Sequence, residues 1–293
     1  MISEEVLRQI RRIAIVSRRK AQNVFAGPYH SAFKGKGMEF FDVREYQAGD
    51  DPRMIDWNVS SRNGRLFVKR YVEERELTVI LAIDMSASLQ FFAGRRSKQE
   101  TAAYLAALVA FASLLNGDKV GLLLFTDRIE CYVPPRKGRN HLLRLIREIL
   151  QFTPSGRGTS LTLALETLNR MLKKKAVIFL VSDFLDEGFE TPLKIAARKH
   201  DLIAAWIADA GELAPPTRGL FSLRDRETGQ DVLIDFGQAE ARDDFLAFRA
   251  ARERRIESLL SRHRVDTVPL FGDIDPDKPL FELFSRRRRK LSR

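Results

Sequence analysis

The chain has little cysteine and little histidine. Its 293 residues include one cysteine, Cys131, and four histidines. A single cysteine excludes an intramolecular disulfide framework and suits a reducing compartment, so we predict that Cys131 is a small buried apolar residue. None of the histidines, at positions 30, 141, 200 and 263, lies in the spacing of a catalytic triad or a zinc site. The composition therefore gives no sign of disulfide or zinc chemistry.

Long hydrophobic runs are also missing. The most apolar stretch, residues 101–115, is shorter than the roughly 18 uncharged residues that a membrane span needs. The first 20 residues lack the basic-then-apolar order and the small-residue cleavage site of a secretory signal. We therefore predict no membrane span and a cytoplasmic location.

Charge is abundant but is spread over the whole chain. The formal net charge is +11, with 30% charged and 44% hydrophobic residues, which is typical of a globular protein. A basic excess favours anionic partners, including acidic proteins and nucleic acid. No nucleic-acid reading motif accompanies it, so nucleic-acid binding through the basic surface is a weaker alternative.

The order of elements predicts an α/β protein. An amphipathic helix runs to about residue 20, and residues 26–75 are rich in turn signals and aromatic residues. From residue 77 strands alternate with helices, which is typical of a doubly wound, mostly parallel sheet. We predict an N-terminal helix with a small β-rich extension (1–75), an α/β domain (76–270) and a basic C-terminal tail (271–293).

Local signals predict several details of this plan. Ser97 and Glu100 have the spacing of a capping box before a buried helix. Hairpins are expected at Asn63-Gly64, across residues 126–128 at a sheet edge, and between residues 218–223 and 231–236.

Oxygen-bearing side chains follow the first buried strand. Asp84, Ser86 and Ser88 alternate directly after the apolar residues 77–83, and Asp183 ends a second such strand. Thr159 is expected to open a helix after a glycine-rich loop. Because ligands bind at the carboxyl ends of the strands in doubly wound sheets, these side chains could meet. Oxygen donors without Cys or His suit Mg²⁺, with Mn²⁺ or Ca²⁺ as alternatives.

This pattern of Asp-x-Ser-x-Ser, Gly-x-Thr and a strand-terminal Ser-Asp resembles the metal-ion-dependent adhesion site of von Willebrand factor type A domains. The similarity spans roughly residues 76–270. It implies that the cation keeps an open position, which an acidic side chain of a protein partner fills. The resemblance also implies that the direct or water-mediated ligands are Asp84, Ser86, Ser88, Thr159 and Asp183.

The block "GMEFFDVREYQAGDDPRMIDWNVSSRNGRLFVKRYVEE" resembles the signature of the DUF58 family, whose biochemical activity is unknown. The resemblance implies a MoxR-type AAA+ ATPase as a partner. The residues that carry it are Arg44, Tyr46, Gly49, Asp50, Asp51, Arg53, Ile55, Asp56 and Trp57.

The acids of this block have two interpretations. We favour an ion-pair and turn network that docks the N-terminal strands, with Trp57 packed inside, over a catalytic role. The run 286–290, "RRRRK", is interpreted as a solvated tail, with phosphate binding as an alternative.

An interaction module that is not an enzyme is the leading function at this level. A metal-dependent phosphohydrolase is an alternative, because its nucleophilic aspartate also follows a buried strand. Such enzymes use Asp-x-Asp, and Ser86 leaves no second carboxyl group to act as general acid. Nucleotide binding is weaker still, because no phosphate-binding Gly-Lys-Ser/Thr loop is present.

Overall fold

In a computed structural model of the protein, the described residues are 4–22, 29, 32–33, 39–72, 76–90, 96–208, 219–224 and 231–291. The chain forms two compact units, one of residues 33–76 and one of residues 1–32 and 77–293. The N-terminal helix therefore belongs to the larger unit, which differs from the predicted division 1–75.

The described helices and strands number as follows in chain order. The helices are α1 (Glu4–Lys20), α2 (Trp57–Asn63), α3 (Lys98–Leu115), α4 (Arg139–Gln151), α5 (Leu161–Met171), α6 (Glu190–Lys199), α7 (Ala239–Arg262) and α8 (Asp277–Leu291). The strands are β1 (Glu39–Glu45), β2 (Phe67–Val72), β3 (Thr78–Asp84), β4 (Lys119–Phe125), β5 (Ile129–Arg136), β6 (Val177–Ser182), β7 (Asp201–Ala208), β8 (Leu220–Arg224), β9 (Asp231–Asp235) and β10 (Asp266–Phe271).

A six-stranded sheet forms the centre of the larger unit. Its order is β10-β7-β6-β3-β4-β5, and every neighbouring pair is parallel except β4 with the edge strand β5. Strands β3, β4 and β6 are almost wholly buried, as expected of parallel strands covered on both faces. The predicted α/β class, with a mostly parallel sheet, is confirmed, and so is the edge hairpin of β4 and β5.

This strand order determines where polar side chains can gather. Strand β3 lies between β6 and β4, so the loops after these three strands emerge at one edge of the sheet. Helix α3 returns the chain from β3 to β4, and it begins with the predicted capping box of Ser97 and Glu100. The edge is therefore surrounded by the loop after β3 and the first turn of α3.

The C-terminal segment is a packed helix, contrary to the predicted solvated tail. Helix α8 buries Leu280, Leu283 and Phe284. The Arg287 guanidinium donates two hydrogen bonds of 2.7 Å to Asp201 and one of 2.7 Å to Asp266. The prediction from the basic run was wrong because its arginines lie on a helix that also has an apolar face. One of these arginines, Arg287, contacts the first residues of two strands.

The smaller unit contains the antiparallel pair β1 and β2 and helix α2. The predicted hairpin at Asn63-Gly64 is wrong. Asp56 caps the start of α2, and Gly64 ends it in the left-handed conformation, with φ of 65°. An Asn-Gly pair suits a helix end as well as a hairpin, because both need a residue with positive φ.

Part of the predicted ion-pair network exists within this unit. Arg44 donates two hydrogen bonds, of 2.8 and 2.6 Å, to Asp50, and Asp51 accepts one from the backbone of Arg53. Trp57, however, is 66% exposed, so the prediction that it packs inside is wrong. It begins helix α2 on the solvent side.

Two further predictions concern the larger unit. The hairpin of β8 and β9 is confirmed by antiparallel pairing from Leu220 with Asp235 to Arg224 with Asp231. Cys131 is half-buried rather than buried, because it lies on the edge strand β5. Among the described residues, no helix has the length and apolar character needed to cross a bilayer.

A pH-dependent contribution to stability is expected from His200. Its ring is buried, its Nδ1 accepts a hydrogen bond from the Ala176 N–H, and burial, followed by the charge of Lys199, lowers its pKa to about 4. The unfolded chain takes up the proton first as pH falls, so stability is lost from about pH 6.5 downward. Urea unfolding should show a loss of about 2 kcal/mol between neutral pH and about pH 5 that is absent in His200→Gln. Equal pH slopes in the two proteins would contradict this.

Candidate cation site

Asp84 occupies the centre of the polar cluster at the carboxyl edge of the sheet. It is fully buried, and its Oδ1 accepts a hydrogen bond of 2.9 Å from the Ser86 N–H. Its Oδ2 accepts a bond of 2.8 Å from the Ser182 hydroxyl. Burial, followed by the charge of Asp183, raises the pKa of Asp84. Burial holds this carboxyl group in place and makes its negative charge costly without a cation.

The two serines after Asp84 lie side by side. The Ser86 and Ser88 hydroxyl oxygens are 3.0 Å apart. Ser86 is buried, whereas Ser88 is partly exposed, so the pair leads from the interior toward solvent. Alternate spacing after a strand thus places two hydroxyl groups together at the sheet edge.

Asp183 follows β6 and is also completely buried. The next residue, Phe184, has φ of 55°, a conformation that a bulky side chain adopts only under constraint. Its N–H donates a hydrogen bond of 3.0 Å to the Ser182 hydroxyl, and that hydroxyl donates to Asp84. The ends of β3 and β6 are therefore joined by a shared serine.

The glycine-rich loop before α5 is bound to the same edge. The Ala87 N–H donates a hydrogen bond of 2.9 Å to the Arg157 carbonyl. The Ser160 N–H donates one of 3.0 Å to the Thr126 carbonyl. Thr159 lies between these two anchors and is partly exposed. It does not open the helix as predicted, because Ser160 is the N-cap residue of α5. The Leu161 N–H donates a hydrogen bond of 2.7 Å to Asp186, and this bond connects the loop to the segment after Asp183.

Glu130 fixes the other end of this loop. Its carboxylate accepts hydrogen bonds from the Ser155 hydroxyl (2.7 Å) and N–H (3.0 Å), the Gly156 N–H (2.7 Å) and the Thr126 hydroxyl (2.9 Å). Burial alone would raise its pKa, but these donors outweigh it and hold the pKa of Glu130 at about 2. The loop that carries Thr159 is therefore fastened by an ionised carboxylate.

A lysine lies in the same cluster. The Lys98 Nζ donates a hydrogen bond of 3.2 Å to Asp183 Oδ2, and the two side chains are 1% and 0% exposed. Lys98 is the first residue of α3, where the positive end of the helix dipole disfavours a cation. The ion pair with Asp183 offsets this placement.

The donor chemistry fits a hard divalent cation. Two buried carboxylates and three hydroxyl groups come from the loops after β3, before α5 and after β6, without sulfur or nitrogen donors. Among the described residues no group of three or more His, Cys, Asp and Glu side chains could hold a metal. A cation here would depend on few protein charges and would keep water ligands.

Three residues of this edge were not expected from the sequence as part of the site. They are Lys98, Glu130 and Asp186. One of them left a signal, because a lysine in the first turn of a helix opposes the dipole. The others lie in loops or strands where only the fold brings them to the edge.

Comparisons with known sequences identify a family and uncharacterized relatives. The profile of a family described as "Protein of unknown function DUF58" matches residues 42–256. The uncharacterized proteins Mb1516 of Mycobacterium bovis and Rv1480 of Mycobacterium tuberculosis are each 29% identical over 284 residues, covering 96% of this chain and 89% of theirs.

One solved structure shares the fold at low sequence identity. The conserved hypothetical protein BatB from Bacteroides thetaiotaomicron is 17% identical, with a TM-score of 0.50 over 73% of this chain and 99% of that one. The VWA domain of SpRpn10 is 11% identical over 70% of this chain and 94% of that one, and its TM-score of 0.41 is too low to add to this. These identities speak to the fold alone.

Proposed function

Since the chain belongs to the DUF58 family of proteins of unknown function, we propose that it is a non-catalytic interaction module that depends on a divalent cation. The cation, Mg²⁺ in the first place, would bind the oxygen atoms of Asp84, Ser86, Ser88, Thr159 and Asp183. An acidic side chain of a protein partner would complete the coordination. The module would act with a MoxR-type AAA+ ATPase in the assembly or maturation of another complex.

One observation carries this proposal: three separate loops, whose candidate ligands are all side-chain oxygen atoms, are fastened to each other at one sheet edge. The Ala87 N–H bonds the loop after β3 to the glycine-rich loop, and the hydroxyl of Ser182 bonds it to β6. Such anchoring fixes donors before a ligand arrives, which lowers the ordering cost of binding. The cation would supply positive charge that attracts a carboxylate.

The proposal includes no catalytic step. Asp84 is buried and hydrogen-bonded through both oxygen atoms, so it is badly placed for nucleophilic attack. The residue two positions on is Ser86, which cannot protonate a leaving group as a carboxylic acid does. The residues of this edge are therefore suited to holding a ligand.

Capture of the ATPase should require both Asp84 and the cation. We expect immobilised wild-type protein to retain the MoxR-type ATPase of the same organism in Mg²⁺. In EDTA the retained amount should fall at least about tenfold, because the coordinating cation is removed. A tenfold change in affinity corresponds to about 1.4 kcal/mol. Asp84→Asn keeps the size and a hydrogen-bond acceptor but removes the charge, and should reduce capture equally.

Asp244→Asn is the matched control, because Asp244 is an exposed carboxylate on α7. It should capture the ATPase as the wild type does. Equal capture by wild type and Asp84→Asn, with or without EDTA, would overturn the proposal. Circular dichroism spectra that coincide for the three proteins would show that the fold is intact.

A further inference from the structure

The buried Lys98–Asp183 pair has a consequence for how a cation would enter the site. We infer that the Lys98 ammonium group takes the place of the cation charge in the metal-free protein, and that cation binding displaces it from Asp183. This inference rests on the proposed cation site. It adds a built-in competitor to that site.

Lys98 balances part of the negative charge of the buried cluster. Asp84 and Asp183 are both fully buried on neighbouring strand ends, and two negative charges in such surroundings repel each other. The ammonium group of Lys98, 3.2 Å from Asp183 and 1% exposed, supplies one positive charge inside the same cluster. Until a cation binds, this ammonium group offsets part of the negative charge of the two carboxylates.

Lys98 is also unfavourably placed on its own helix. Lysine at the first position of a helix works against the helix dipole, and burying its ammonium group removes it from water. The capping box at this helix start consists of contacts between Ser97 and Glu100. The contact of the Lys98 ammonium group with Asp183 offsets the unfavourable placement of this lysine.

Lys98 and a divalent cation compete for Asp183. An ammonium group and a divalent cation repel at the distance that shared contact with Asp183 imposes, because both would lie within a few ångströms of one carboxylate. Asp183 Oδ1 accepts a weaker bond of 3.4 Å from the Leu185 N–H, so Oδ2 is the oxygen with the strong partner. Cation affinity should therefore be set partly by the cost of moving Lys98.

The test compares Mn²⁺ binding in the wild type, Lys98→Met and Lys98→Gln. Electron paramagnetic resonance of free Mn²⁺ gives the dissociation constant, and thermal unfolding with and without Mn²⁺ gives an independent readout. We expect both variants to bind Mn²⁺ at least about tenfold more tightly than the wild type, a factor worth about 1.4 kcal/mol. Their unfolding temperatures should fall without Mn²⁺ and recover when it is added, whereas Mn²⁺ should raise the unfolding temperature of the wild type by less.

Lys98→Gln keeps a hydrogen-bond donor to Asp183, so the test survives if Lys98→Met does not fold. Lys194→Met is the matched control, since it removes an exposed lysine from α6 and should leave both readouts unchanged. Lys98→Met combined with Asp183→Asn should lose the gain in affinity.

The outcomes separate this inference from the proposed function. Tighter binding in the Lys98 variants than in the wild type supports the inference. If the wild type itself binds no Mn²⁺, the inference still stands, but the proposed cation-dependent module is contradicted. Equal affinities in wild type and variants would overturn the inference and leave the cation site standing. Absence of Mn²⁺ binding in every protein would overturn both.

Discussion

Gly156→Ala is expected to lower the free energy of unfolding by about 3 kcal/mol or more and to weaken cation binding at the same time. A Cβ atom at this position would overlap the Thr126 hydroxyl and the Asp127 carboxylate, and would lie 3.0 Å from the Thr126 Cβ. Asp127 is exposed and can turn away, but Thr126 is buried and its hydroxyl is bonded to Glu130. The backbone of the glycine-rich loop must therefore move.

That movement would reach the proposed site. The Gly156 N–H donates a hydrogen bond of 2.7 Å to Glu130, and three positions later the loop carries Thr159. Loss of the Glu130 anchor would release the loop from its fixed position, so we expect Mn²⁺ affinity to fall at least about tenfold. Urea unfolding and an Mn²⁺ titration measure the two effects.

Gly158→Ala is the control for this substitution. It lies in the same loop, but its Cβ would meet only the Asp127 Cβ at 3.6 Å, an ordinary contact. Its stability should stay within about 1 kcal/mol of the wild type. Similar losses in the two variants would show that the loop tolerates no alanine at all, and would contradict the role given to the contact with Thr126.

Arg287→Met is expected to cost about 2–3 kcal/mol of stability, the second large effect. The substitution removes the guanidinium group that donates hydrogen bonds of 2.7 Å to the carboxylates of Asp201 and Asp266. Arg287 is 13% exposed and the two acids about a quarter, so we take less than the cost of breaking a fully buried pair. The two acids begin the neighbouring strands β7 and β10.

The same basic run offers the control. Lys290→Met removes an exposed positive charge from the last turn of α8, and its stability should lie within about half a kcal/mol of the wild type. Thermal unfolding of both variants at moderate salt provides the comparison. Equal losses would mean that net charge, rather than the contact of Arg287 with the two strands, determines the effect.

The sequence predicted the central sheet well because its strands are nearly continuous apolar runs. Strands β3, β6 and β7 are recognisable without any partner, and the capping box of Ser97 and Glu100 is a local signal. Local signals were ambiguous in the smaller unit. Asn63-Gly64 ends a helix there, and the aromatic residue Trp57 is exposed.

Contacts between distant parts of the chain could not be read from the sequence. Lys98 reaches Asp183 across 85 positions, and Ser182 reaches Asp84 across 98, because α3 and the parallel strand order bring them together. The oxygen-bearing residues themselves could be named beforehand, since each follows a strand or a glycine-rich loop. Their role as cation ligands stays a prediction, as do the partner, the ATPase and the cytoplasmic location.

The most direct test of the proposed cation site is a crystal of the protein grown with Mn²⁺ and measured at the manganese absorption edge. We expect an anomalous peak among the side-chain oxygen atoms of Asp84, Ser86, Ser88, Thr159 and Asp183, with Lys98 turned away from Asp183. A map without a peak at this edge of the sheet, while Lys98 remains bound to Asp183, would contradict it.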